Sequence, residues 1–350
     1  LSYTQTMGYE LRQWENQTYR WSTHQDEVSV NRNGTAYQGF SKTENINSEG
    51  YFNYMNSFDK HNINATLGYS YYERNSQGFN MTNYNFPVEA TALWDIGTGS
   101  YNKLGQASMA SSKDITQKLL AYFARVNYDY DGKYIVSASY RRESSSKFAK
   151  ENRWGNFWSV SAGWRISDEP WMENASWIDD LKIRAAYGVT GNSDFSASYA
   201  SMSYGSDGYF MMPASGNYAI AYGPAVTLNP SLKWEEQLGW NFGLDFSLFD
   251  NRLYGKFDWY NRKVKDMLFS VSVPQPPYAL TSQMQNIGNL RNMGWEFEIG
   301  ADIVRNNNGW NYSTNFIFSH DRTEVLNLYG NGTFTDNAGF HSPGTPGHAP

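Results

Sequence analysis

The sequence contains no cysteine, which excludes a disulfide framework and any thiolate-bound metal. It also has no run of about 20 consecutive apolar residues, the length a helix needs to cross a bilayer, so helical membrane spans are excluded too. Leu1 to Arg12 has neither a basic start nor an apolar stretch, and no signal peptide is expected there. Cationic residues are outnumbered, 28 Lys and Arg against 34 Asp and Glu for a formal charge of -6. A nucleic-acid partner, which needs a basic face, is therefore not expected. The motifs of zinc, redox, P-loop and hydrolase-elbow chemistry (H-E-x-x-H, C-x-x-C, G-x-x-x-x-G-K and G-x-S-x-G) do not occur. The five histidines, at 24, 61, 320, 341 and 348, have no ligand spacing. No metal, cofactor or catalytic residue is expected.

Aromatic residues, in contrast, are abundant. They make up 17% of the chain, with 27 Tyr, 20 Phe and 13 Trp. Two fold classes use rings at this density. A transmembrane β-barrel sets them in girdles at the two headgroup levels, and a secreted sugar-binding β-protein stacks them on its ligand. The hydrophobic share of 40% is compatible with a barrel, whose strands turn every second residue toward a wet lumen.

Periodicity decides between them. In Glu235 to Phe249 the set Glu236, Leu238, Trp240, Phe242, Leu244, Phe246 and Leu248 alternates with Glu235, Gln237, Gly239, Asn241, Gly243, Asp245 and Ser247. That is a strand with one apolar and one polar face. The same split recurs in Leu119 to Tyr130, Tyr134 to Arg142, Phe157 to Ile166, Leu181 to Thr190, Leu253 to Arg262, Gly294 to Val304 and Trp310 to His320. Weaker candidates at Tyr3 to Arg12, Thr43 to Phe58 and His61 to Arg74 bring the count to about eleven. Ten residues at about 3.4 Å each, tilted near 45°, rise about 24 Å, the height of a barrel's apolar band.

Connections alternate short and long. Asp59 to Lys60, Asp131 to Lys133, Asp250 to Asn251 and Arg305 to Gly309 are tight. Between them lie Asn75 to Gln117, Glu143 to Gly155, Gly191 to Lys233 and Lys263 to Met293. Up-and-down barrels have this asymmetry, with short turns on one rim and long loops on the other. Ser167 to Asp180 is of middle length, and its Asp-Glu-Pro start suggests a capped helical turn. The fold expected is all-β, an antiparallel transmembrane barrel, with residues 1–350 forming one region.

Candidate functional residues fall into two sets. On the polar faces the charges are Arg125, Asp129, Arg141, Lys182, Arg184, Asp245, Lys256, Asp258, Arg262, Glu296, Glu298 and Asp302. Facing a lumen, they either form ion-pair networks or solvate the wall. In the Gly191 to Lys233 loop, Tyr199, Tyr204, Tyr209, Phe210, Tyr218 and Tyr222 either stack on cargo or pack the loop. The pairs Asp168 with Glu169 and Asp179 with Asp180 are read as turn and solvent residues rather than as a glycosidase dyad.

Several segments resemble the SusC/RagA-type TonB-dependent transporters of the outer membrane. They are Phe123-Ala-Arg-Val-Asn-Tyr128 with Tyr134, Arg141-Arg-Glu-Ser-Ser-Ser-Lys-Phe148, Asn152-Arg-Trp-Gly155, and Ser159-Val-Ser-Ala-Gly-Trp-Arg-Ile166 with Glu169-Pro-Trp-Met172. They continue in Leu181-Lys-Ile-Arg-Ala-Ala-Tyr-Gly-Val-Thr-Gly-Asn192, Asn229-Pro-Ser-Leu-Lys-Trp-Glu235, Gly243-Leu-Asp-Phe246, Tyr260-Asn261, and Asn286-Ile-Gly288 with Gly294-Trp-Glu-Phe297. The resemblance covers about two thirds of the chain; the family's Arg-Arg-Asp-Gly-Ser-Ser-Arg-Phe pattern departs here at Glu143, Ser144 and Lys147.

The resemblance implies a 22-stranded barrel closed by a plug, energy from the TonB complex, a SusD-like surface lipoprotein as lid, and a glycan, oligosaccharide or peptide as cargo. About eleven strands, with no plug or TonB box, imply an internal barrel portion that supplies wall and extracellular loops. The contrasting expectation is a secreted or surface carbohydrate-binding β-protein.

Overall fold

A computed structural model describes the chain except at 103–106, 196–203, 212–217, 225–226, 277, 279, 306–308 and 328–350, and gives the backbone alone at 102, 112–116, 204–211 and 218–224. In chain order the strands are β1 (Ser2–Arg20), β2 (Thr35–Phe58), β3 (His61–Tyr84), β4 (Ser108–Tyr130), β5 (Tyr134–Ser145), β6 (Trp154–Arg165) and β7 (Ile178–Asn192). A small hairpin of β8 (Tyr204–Met211) and β9 (Tyr218–Pro224) follows, then β10 (Glu235–Leu248) and β11 (Leu253–Lys265). A second hairpin, β12 (Leu268–Ser272) and β13 (Ser282–Asn286), precedes β14 (Asn289–Arg305) and β15 (Asn311–Asn327). Among the described residues the only α-helix is α1 (Gln25–Ser29).

Eleven strands form one sheet in the order β1-β2-β3-β4-β5-β6-β7-β10-β11-β14-β15, each beside its chain neighbour once the two loop hairpins are set aside. By compactness the chain divides into one unit of 1–5, 49–70 and 120–350 and another of 6–48 and 71–119. In the second unit Ala36, Phe86 and Ala92 form a small core, with Tyr19 and Ile96 against it.

In the first unit the registers confirm the period-two reading. Pairing Trp240 with Tyr187, Phe242 with Trp259, and Trp259 with Trp295 keeps the rings on one face. Pairing Gly243 with Arg184 and Asp258 keeps charge on the other. The ring-bearing face is bare: Trp240 is 48% exposed, Phe242 43%, Trp158 43% and Phe318 53%. No second layer covers it among the described residues, so a sandwich in which both faces share a dry interior is excluded. An aromatic face of this extent is stable only against hydrocarbon.

Turn chemistry explains the short connections. Asp131 and Gly132 both have positive φ, 56° and 67°, as a two-residue hairpin turn needs. Lys60 of the β2–β3 turn bonds Asp131 of the β4–β5 turn at 2.6 Å, and the carboxylate beside it raises the ammonium pKa.

Some sequence boundaries move. Strands β1 to β4 run well beyond the expected Tyr3 to Arg12, Thr43 to Phe58, His61 to Arg74 and Leu119 to Tyr130, and the expected loop at 75–117 shrinks to 85–107. Strand β10 stops at Leu248; Phe249 belongs to the turn, at φ 58°, with its ring stacked 6.0 Å from Trp177 and its N–H donated to the Trp177 carbonyl. The Ser167 to Asp180 connection does contain short helical turns, at Ile166–Asp168 and Pro170–Met172.

Candidate functional site

Strands β7, β10, β11 and β14 set the charged residues of the polar face side by side. Arg184 donates from Nε and Nη2 to both oxygens of Asp245 at 2.8 Å, and its Nη2 lies 3.2 Å from Asp258. The planar guanidinium suits two carboxylates at once. Gly243 makes room for it, since a Cβ there would lie 2.6 Å from the Arg184 Cζ. Next to this triad Lys256 pairs with Glu298 at 2.8 Å, and Glu298 accepts from Asn315 at 3.0 Å. On β5, Arg141 bonds Glu143 at 2.5 Å and Ser70 at 3.1 Å. Arg125, Lys182, Arg262 and Glu296 close no ion pair among the described residues. Of the remaining charges, Asp129 accepts from Asn62 and Asp302 pairs with Arg305. The twelve charges balance, six of each sign, so this polar face carries no strong field of either sign.

At the long-loop end of β5, β6, β7 and β10 lies a cluster that sequence reasoning missed. Phe148, Phe157, Val189, Phe195, Leu232 and Trp234 are buried together, with Leu238, Leu268 and Met284 against them. Trp234 is the centre: its ring lies 5.4 Å from Phe148 and 5.2 Å from Phe157, and its indole N–H donates to the Arg153 carbonyl at 2.9 Å. Gly191 has no side chain because the Phe157 ring occupies the place of its Cβ. Around the cluster, amides tie three loops together. Asn286 accepts from the Lys233 N–H and donates to the Lys233 carbonyl, both at 2.8 Å. Asn229 donates to the Met284 carbonyl at 2.9 Å, Gln283 to Leu228 at 3.0 Å and Asn152 to Pro230 at 3.1 Å.

The signal for this hub was in the text of the sequence. Three of the segments that carried the family resemblance, the one ending at Phe148, the one ending at Trp234 with Glu235, and the one starting at Asn286, converge here. Beside the hub a cavity of about 360 Å³ opens onto Arg141, Glu143, Thr190, Asn192, Asp194 and Trp234. Polar groups over a fixed aromatic floor can hold a polar ligand by hydrogen bonds and ring contact.

Of the loop aromatics, Tyr199 lies outside the described residues. Tyr204, Tyr209 and Phe210 fall on β8 and Tyr218 and Tyr222 on β9, where Tyr209 pairs with Ile220, Phe210 with Ala219 and Tyr218 with Met211. Of the acidic pairs, Asp168, Glu169 and Asp180 serve the β6–β7 connection, and Asp179 reaches the β10–β11 turn. Glu169 accepts from the Tyr134 hydroxyl at 2.6 Å and the Trp164 indole at 3.0 Å, which with Lys133 hold its carboxyl below the usual range, Tyr134 contributing most. Asp180 pairs with Arg165 at 3.2 Å, and Asp179 accepts from the Asn251 N–H at 2.8 Å. Among the described residues no group of three or more His, Cys, Asp or Glu is placed to hold a metal.

The profile of the family described as TonB dependent receptor-like, beta-barrel matches residues 1–349. The TonB-dependent receptor P39 of Formosa agariphila is 31% identical over 98% of this chain and 31% of its own length. The TonB-dependent receptor SusC of Bacteroides thetaiotaomicron is 35% identical over 61% of this chain and 21% of its own. Among solved structures, the RagAB peptide transporter superposes with a TM-score of 0.82 at 25% identity, over 96% of this chain and 36% of that one. The chain thus spans about a fifth to a third of the length of such relatives.

Proposed function

The chain belongs to the TonB-dependent receptors, outer-membrane β-barrel proteins of SusC/RagA type, as part of the barrel, and on that premise we propose that it lines the import path for an oligosaccharide nutrient. The carrying observation is the Trp234 hub, which fixes three long loops beside a polar, charge-balanced wall. Loops held this way can take up a neutral, hydroxyl-rich oligomer without ordering a floppy segment at each encounter. The Tyr and Phe residues of the 193–234 loop, Tyr199, Tyr204, Tyr209, Phe210, Tyr218 and Tyr222, are proposed as the surfaces on which sugar faces stack.

In this reading the wall and loops belong to a receptor whose plug blocks the lumen. The TonB complex drives transport, and a SusD-like surface lipoprotein closes over the loops. The chain performs no chemistry on its cargo. A peptide is the second reading, supported by the similarity to the RagAB peptide transporter.

Uptake tests both. Cells lacking their own receptor and supplied with the full-length protein are given labelled oligosaccharide and labelled peptide mixtures. TonB-dependent accumulation of the sugars supports the proposal, accumulation of the peptides alone favours the second reading, and accumulation of neither overturns import.

A further inference from the structure

The ring-bearing face carries a group of cations that neither the wall nor the loop hub uses. Two cross-strand rows run over β10, β11, β14 and β15. One is Trp240, Asn261, Met293 and Arg322; the next toward the long loops is Leu238, Lys263, Arg291 and Glu324. Arg291 donates from Nε to Asn261 at 3.1 Å, which fixes it on the same side as Trp240. Lys263 stands two positions before the end of β11 and Arg291 two after the start of β14. The 266–288 connection joins them, so they sit at the long-loop rim, where a barrel meets the outer leaflet.

On the polar face Arg184 and Lys256 are paired, and Arg262 lies over the Tyr260 ring. On the ring-bearing face Lys263, Arg291 and Arg322 close no ion pair among the described residues. Glu324 is the register partner of Arg291 yet closes no ion pair with it. Lys263 and Arg322 are exposed. Cations just beyond a row of lipid-facing rings are positioned for anionic headgroups, with their stems along the apolar surface. Arginine in addition presents two donors to one phosphate.

We propose that Lys263, Arg291 and Arg322 form a binding site for a phosphate-bearing lipid headgroup of the outer leaflet. The site rests on the barrel fold and not on the import reading. It anchors lipid beside the strands that carry the 266–288 loop.

The test is lipid retention by the full-length receptor in detergent, measured by native mass spectrometry during titration with lipid A and with its dephosphorylated form. Neutralising one such cation costs about fivefold in affinity, so the triple variant Lys263→Gln, Arg291→Gln, Arg322→Gln is expected to bind lipid A at least tenfold more weakly. The polar-face control Arg262→Gln is expected to bind it unchanged. Heat-modifiable gel mobility shows whether the triple variant has assembled; if it has not, the exposed single variant Lys263→Gln carries the test with a fivefold loss. Equal binding of the dephosphorylated lipid, equal binding by the variant, or displacement by an equal concentration of inorganic phosphate each overturns the proposal.

Discussion

At Glu169 a single carboxylate accepts hydrogen bonds from a tyrosine and a tryptophan of two different strands. Its folded pKa is lowered from 4.5. The stabilisation is therefore fully present above 4.5 and disappears as pH falls through the lower folded value. Glu169→Gln is expected to lower the temperature at which the full-length receptor loses its heat-resistant gel band at pH 7, with the difference from wild type narrowing as pH falls below 4.5 through the lowered folded value. A difference that stays constant with pH would show that the charge is irrelevant. Arg184 makes a second residue-scale case. Arg184→Met leaves Asp245 and Asp258 facing each other, half-buried, and is expected to cost about 1–2 kcal/mol, between the values of exposed and buried pairs. Asp245→Asn in the same background should recover part of that in a denaturant titration. The charges themselves were legible in the sequence as polar-face residues. Their pairing was not, because Arg184 and Asp245 are 61 positions apart and the intervening loop hides which strands become neighbours.

Strands reveal their faces wherever hydrocarbon imposes them. Phe242→Arg puts a cation on the lipid side at a cost of about 2–4 kcal/mol, whereas Asn241→Arg adds one to the wet side. The first is expected to reduce folded receptor in the outer-membrane fraction and the second to leave it unchanged; equal yields would contradict the face assignment. The extensions of β1 to β4 were hidden because segments such as Asn75 to Tyr84 do not alternate apolar with polar. The hydrogen-bonded ladder continues there without the pattern that usually betrays it. The β12–β13 hairpin was missed for a related reason: its strands are five residues each, too short for a period to register. Trp234→Ala tests what holds the loops. Removing a ring that is 6% exposed should cost about 3–5 kcal/mol, lost from the loop cluster. Faster amide hydrogen exchange in 146–153 and 227–234, with β10 and β11 unchanged, is the expected outcome.

Across the whole molecule, the fold class was legible because two independent patterns agreed, period two along each strand and alternation of short and long connections. The candidate site was legible only in part. Its charges follow from strand parity, but the hub follows from contacts among loops whose residues, taken singly, look like ordinary aromatic and amide residues.

The closure of the longest loop has a further consequence. Asn192 and Glu235 are register partners, and the Asn192 side chain bonds the Glu235 carboxylate at 3.2 Å, so everything between them leaves the wall and returns to it at one point. Because the entropy of closing a loop rises only slowly with its length, this stretch behaves as an interchangeable cassette. Its length and sequence can change while the staves on either side keep their alignment, so the stretch outside the sheet varies without rebuilding the frame.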